Sequence, residues 1–237
     1  MAKKAKKEKK PRDRSVFREY FELIAETAVF VFFVMTFVVQ AFQIPTGSME
    51  KTLLVGDFLL VNKFAYARSV LRFEEYILPR KNLEHKDIIV FRFPQDLTKD
   101  FVKRVIALEG DTLEIRDKQV YVNDIPMAEN YKTHIDRQVM PGASEYEYGI
   151  RARDNFGPMR VPEGHCFAMG DNRDNSEDSR YWGFLPLNYI KGKPWVIYFS
   201  YDAERDAYLK NSARERVNKF GRFITKARLN RILHTVK

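Results

Sequence analysis

Cysteine is nearly absent from this sequence: Cys166 is the only one in 237 residues. That excludes an intrachain disulfide and any four-cysteine zinc site. Histidine is scarce too. His85, His134, His165 and His234 are scattered without metal-ligand spacing, so no metal site is expected. Charge is missing altogether from Thr27 to Met49, which excludes a solvated segment there. Internal repeats are also absent, which argues against a solenoid.

The formal net charge of +9 is unevenly placed. Met1–Arg14 holds eight basic and two acidic residues, and Arg214–Lys237 holds eight basic and one acidic. The chain between them is mildly acidic, which argues against a nucleic-acid-binding core and favours anionic lipid as the partner of the ends. The hydrophobic content of 45% argues for a packed body rather than disorder.

Ala28–Val39 (AVFVFFVMTFVV) is almost wholly apolar. Read as a helix, Phe21–Phe42 has roughly the 20 residues needed to cross a bilayer. The basic arm before it places the N-terminus in the cytoplasm and the body outside. A cleavable signal peptide ending at Val39-Gln40-Ala41 and a buried core helix are the other readings of the same run.

Beyond it the texture is β-rich. Asp57–Lys63, Asp87–Phe93, Phe101–Leu108, His165–Met169 and Pro194–Phe199 read as strands, and Thr112–Arg116 with Gln119–Asn123 as a hairpin. Residues 128–158 read as a loop-rich insertion, and Leu71–Glu84 as an irregular connection. The expected organisation is a basic arm (1–20), a transmembrane helix (21–42), a β domain in two parts (43–127 and 159–213) around the insertion, and a basic tail (214–237). In the tail, Val217, Phe220, Ile224 and Ala227 share a helical stripe, which fits either a lipid-touching surface helix or a solvated tail.

Three stretches can carry chemistry. In Ile44-Pro45-Thr46-Gly47-Ser48-Met49, proline and glycine shape a loop that can present Ser48, with its own N–H and the Thr46 hydroxyl facing a developing oxyanion. An ordinary turn is the plainer reading. A serine nucleophile needs a base, and no His-Asp pair is evident. In FVKRVIAL, two-residue alternation puts Phe101, Lys103, Val105 and Ala107 on one face and Arg104 on the other. A lysine on an apolar face must find a carboxylate or lose its charge; a solvated Lys-Arg pair is the alternative. The third stretch, GDNRDNSEDSR from Gly170 to Arg180, lacks the ligand order of a calcium loop. Its arginines, Arg173 and Arg180, offer internal partners to Asp171, Asp174 and Asp178, and Ser176 can orient Lys103.

Together, FQIPTGSMEKTLLVGDFLLVNKFAY, KDIIVFRFPQDLTKDFVKRVIALEGD and GHCFAMGDNRDNSEDSRYWGFLP resemble the bacterial type I signal peptidases, membrane-bound Ser/Lys serine proteases that remove signal peptides from exported proteins. The resemblance implies a mainly antiparallel β catalytic domain behind a membrane anchor, which favours the anchor over the signal peptide. It implies Ser48 as nucleophile, Lys103 as general base and Thr46 with Ser48 as oxyanion hole. Ser176, Asp178, Arg180, Asp171 and Arg173 match the lysine-orienting and supporting residues, and Ile44, Pro45, Met49, Leu53, Phe101 and Val102 the substrate pocket. Preproteins and membrane lipid are the implied partners, with the export machinery a further candidate and no nucleic acid, metal or organic cofactor. Lys51 stands where many members have proline, and Phe101 where tyrosine is frequent. The rivals are a regulatory Ser/Lys protease of related fold, usually joined to a DNA-binding domain, and a catalytically inert anchor protein.

Overall fold

The computed structural model of the chain describes residues 16–66, 81–140, 153–203, 223 and 225–236. The Lys-rich arm, most of the 71–84 connection, the centre of the 128–158 insertion and most of the tail stripe lie outside them.

The chain divides into two compact units, residues 1–38 and 39–237. In the first, α1 (Val16–Phe33) runs into a π-helical turn, Val34–Val38. These 23 residues, whose most apolar 18-residue stretch has a mean hydropathy of 2.0, are long and apolar enough to cross a membrane: at 1.5 Å per residue they span about 35 Å. None of their side chains is buried, unlike those of a core helix. Arg18 pairs with Glu22 one turn on, at 2.8 Å, and Thr27 returns its hydroxyl to the Leu23 carbonyl.

The helix boundaries differ from those expected. Val39–Phe42 leave the span and form β1 (Val39–Gln43). They pair antiparallel with β2 (Asp57–Asn62), Val39 opposite Asn62 and Gln43 opposite Phe58. A neighbouring strand satisfies these backbone groups as fully as a helix would, and β-branched valine favours it.

The remaining strands are β3 (Ile88–Phe93), β4 (Asp96–Ala107), β5 (Thr112–Arg116), β6 (Gln119–Val122), β7 (Ile125–Pro126), β8 (Phe156–Arg160), β9 (His165–Met169), β10 (Leu185–Pro186), β11 (Ile190–Ser200) and β12 (His234–Thr235). Eight form one sheet in the order β1-β2-β11-β3-β4-β9-β10, with β12 on β11; the others form a sheet β7-β6-β5-β8. Every pairing between strands is antiparallel. β4 begins five residues before the expected start because Pro94 and Gln95 turn it directly back on β3.

The large sheet is covered on both faces, which explains why β3 is an unbroken apolar run. Ile88 and Val90 face a core with Ile44, Met49, Leu53, Leu59 and Val61. Ile89 and Phe91 face the opposite core with Val105, Cys166, Ala168 and Leu185. The expected alternation in β4 holds to Val105, but Ala107 joins Ile106 in a third core, shared with Leu113, Ile115 and Phe167. A register shift between Val105 and Ala107 against β9 makes the difference.

Candidate active site

Ser48 lies in a single 3-10 turn, Gly47–Met49, entered from Thr46 in extended conformation (φ −127°, ψ 157°). The Thr46 side chain makes no capping hydrogen bond to the turn. The loop closes at its neck, where the Ile44 N–H donates to the Asp57 carbonyl (2.8 Å) and the Gly56 N–H to the Ile44 carbonyl (3.0 Å). Met49 and Leu53 anchor it in the core below. Asn172 holds its tip: the Asn172 N–H donates to the Ser48 carbonyl at 3.0 Å and its side-chain amide to the Gly47 carbonyl at 3.1 Å. Lys51 sits at φ +82°, which a proline ring cannot reach.

Lys103 projects from the middle of β4, opposite Ile89, and is only 3% exposed. No carboxylate lies within salt-bridge reach of it among the described residues. Its amine is 5.6 Å from the centre of the Phe101 ring, and that ring stacks on Phe93 at 4.3 Å. Burial brings the amine down to about 8, helped by the positive charge of Arg180 and opposed by Asp178. The solvated Lys-Arg pair is therefore not what forms.

Ser48, Lys103 and Ser176 line one cavity of about 260 Å³. Thr46, Ile44, Pro45, Met49, Phe101 and Val102 line it too, with Glu177 on the side of the Asn-Ser-Glu loop. Ser48 and Lys103 line the same space, and no hydrogen bond joins their side chains among the described residues. Leu53 is not part of the lining. Its fully buried side chain packs beneath the loop with Leu59 and Ile88, because the chain has turned inward by that point.

The acidic loop is less self-contained than its sequence implies. Asp178 and Arg180 do pair, at 2.8 Å, and Asp178 also caps the short helix α2 (Ser179–Trp182) and accepts from the Gly170 N–H. Burial works against the Asp178 carboxylate, yet the positive charges of Arg180 and Lys103 hold it below its usual range. Arg173 pairs instead with the buried Glu129. Asp171 receives a two-pronged contact from Arg104 (both 2.8 Å) and the Thr52 hydroxyl. Asp174 contacts His134, and lies near Lys118 and Arg153. Neighbours in a tight loop point in diverging directions, so three of its charges find partners on other elements.

Those partners are what sequence reasoning missed. Alternation along β4 shows only that Arg104 points away from Lys103; it stacks on Tyr131 at 3.9 Å while gripping Asp171. Glu129 belongs to the 128–158 insertion, whose described parts are tied to the loop: the Thr133 N–H donates to the Asp171 carbonyl, and the Arg173 N–H to the Thr133 carbonyl. No group of three or more His, Cys, Asp or Glu able to hold a metal occurs among the described residues.

A buried neutral-prone amine beside a serine hydroxyl is the chemistry of proton abstraction without histidine. The comparisons with known proteins point the same way. The family model "Signal peptidase, peptidase S26" matches residues 17–199. Signal peptidase I of Pseudomonas fluorescens is 33% identical over 220 residues, covering 83% of this chain and 77% of its own. That of Pseudomonas aeruginosa is 34% identical over 219 residues, with the same coverage. That of Aquifex aeolicus is 35% identical over 218 residues, covering 72% and 79%. On this match the chain belongs to the signal peptidase family, peptidase S26.

Proposed function

We propose that this chain removes N-terminal signal peptides from exported preproteins as a type I signal peptidase, with Ser48 as nucleophile and Lys103 as general base. The observation that carries the assignment of residues is the burial of Lys103, without a salt-bridged carboxylate among the described residues, in the cavity that Ser48 lines. Neutral Lys103 takes the Ser48 proton as the oxygen attacks the scissile carbonyl. The Ser48 N–H and the Thr46 hydroxyl receive the oxyanion. The lysine then protonates the departing amine, deprotonates a water, and the ester is hydrolysed. Ser176, Asp178 and Arg180 keep the lysine in place, and Asp171 and Arg173 hold the surrounding loop. The small apolar space beside Ile44, Phe101 and Val102 suits a short side chain ahead of the cut.

The basic arm and the apolar helix after it support an anchor in the bacterial cytoplasmic membrane with the N-terminus inside and the body outside. A substrate whose apolar segment lies in the same bilayer meets the enzyme at raised effective concentration. The test is cleavage of a preprotein with an Ala-x-Ala site by the full-length protein in detergent. Wild type should cut after the second alanine, while folded Ser48→Ala and Lys103→Met should be inert. Equal cleavage by all three would discard the dyad.

A further inference from the structure

The basic C-terminal tail has no part in that mechanism, yet its end returns to the Ser48 loop. Residues 225–236 lie along β11: β12 pairs with Val196 and Ile197, the Leu233 N–H donates to the Ile197 carbonyl, and the Arg228 N–H to the Ser200 carbonyl. This path delivers two guanidinium groups to residues 52–57. Arg231 Nε and Nη2 reach the two oxygens of Asp57, at 3.1 and 2.6 Å, and Nη2 also donates to the Thr52 carbonyl at 3.0 Å. Arg228 donates to the carbonyls of Val55 and Tyr201. Asp57 is fully buried and accepts two more hydrogen bonds, from the Leu54 N–H and the Ser200 hydroxyl.

We propose that Arg231, supported by Arg228, is a positioning residue for Ser48. The inference rests on the functional reading above. Thr52 is the junction. Its N–H donates to the Met49 carbonyl, one residue from Ser48; its hydroxyl donates to Asp171; its own carbonyl accepts from Arg231. The descending limb of the nucleophile loop is thus held by two residues far from it in sequence, Asp171 and Arg231, and releasing Thr52 lets Ser48 drift from its place in the cavity shared with Lys103. A small misplacement of a nucleophile is costly even where the fold is unchanged. A lysine at 231 can meet Asp57 but lacks the planar fork that spans the carboxylate and the Thr52 carbonyl together.

The test uses the full chain in detergent, with Arg231→Lys, the charge-neutral pair Arg231→Met with Asp57→Asn, and Ser48→Ala alongside. Both Arg231 variants should lower kcat about tenfold or more, with KM within about twofold. The acid limb of the pH profile should stay where wild type has it, because Lys103 sits on a different element. A merely structural role would lower Tm and leave kcat intact at temperatures where the variants are folded, and that result overturns the inference. Should the pair of substitutions prevent folding, Arg231→Lys, which keeps the charge opposite Asp57, decides alone. Cleavage by Ser48→Ala would instead overturn the functional reading itself.

Discussion

A Cβ on Gly170 would stand 2.2 Å from the Ser176 Oγ and 2.5 Å from the Ser48 carbonyl oxygen. The serine loop and the Asn-Ser-Glu loop therefore close on a backbone with no side chain between them. Gly170→Ala must push them apart. Overpacking of this kind costs about 1–3 kcal/mol of stability, and the larger effect is expected in catalysis, a fall in kcat of around a hundredfold. Denaturant titration and cleavage kinetics on the same preparation separate the two. An alanine variant with wild-type kcat would show that the Ser48–Ser176 spacing is unimportant.

Lys103 predicts a pH dependence of defined sign. Its folded-state pKa is lowered from 10.5 to about 8, chiefly by burial. A base must be neutral, so kcat/KM should climb tenfold per pH unit below about 8 and level off above it. For stability, the unfolded chain binds more protons at this site between about 8 and 10.5, so stability rises with pH across that window. Relative to Lys103→Met, wild type should gain up to roughly 3 kcal/mol over that window. Parallel unfolding curves that do not diverge with pH would mean the lysine is not desolvated as described.

Arg173 and Glu129 form a buried pair. Arg173→Met alone leaves the buried Glu129 carboxylate with only Lys132, at 3.5 Å, and the Tyr131 hydroxyl, at 3.3 Å, and should cost about 3 kcal/mol. Combining it with Glu129→Leu should recover most of that loss, because both desolvated charges are gone. A double-mutant cycle read by denaturant unfolding measures the coupling; a coupling near zero would rule the pair out as a structural tie.

Much of this arrangement was legible beforehand, for reasons that differ by element. β2, β3, β5, β6 and β9 announce themselves by alternation or by short apolar runs, whereas Ser48, Lys103 and Ser176 are each ambiguous alone and stand out only when their three stretches are read together. β1 does not, because Val39–Phe42 continue the apolar run of the helix and hydropathy cannot mark where one structure yields to the other. The acidic loop misled for another reason: Asp171 and Arg173 are two residues apart, and sequence proximity hides that their side chains leave for Arg104 and Glu129. β12 and Arg231 were invisible, since pairing the 230s with the 190s is a long-range choice with no local signature.

Lys51 holds a left-handed backbone at φ +82° on the exposed surface of the serine loop. Glycine adopts that conformation without the steric cost that a Cβ carries. Lys51→Gly is therefore expected to be neutral or stabilising by up to about 1 kcal/mol with activity retained. Lys51→Pro, whose ring fixes φ near −65°, should unseat the turn after Ser48 and lower both Tm and kcat. Equal Tm values for the two variants would mean that the turn relaxes freely.

The orientation in the membrane is open to a chemical test because the chain has so little cysteine. Cys166 is fully buried, and burial pushes its thiol up to about 12, so it is protonated and shielded from a thiol reagent at neutral pH. Ile125 in β7 is 69% exposed and lies outside the cavity lining. Ile125→Cys should retain activity and present one reactive thiol. In intact spheroplasts a membrane-impermeant maleimide should label Ile125→Cys fully and wild type not at all. Labelling that appears only after the membrane is broken would put the body on the cytoplasmic side, where translocated preproteins could not reach it. That outcome would overturn the proposed topology while leaving the Ser48 and Lys103 chemistry untouched.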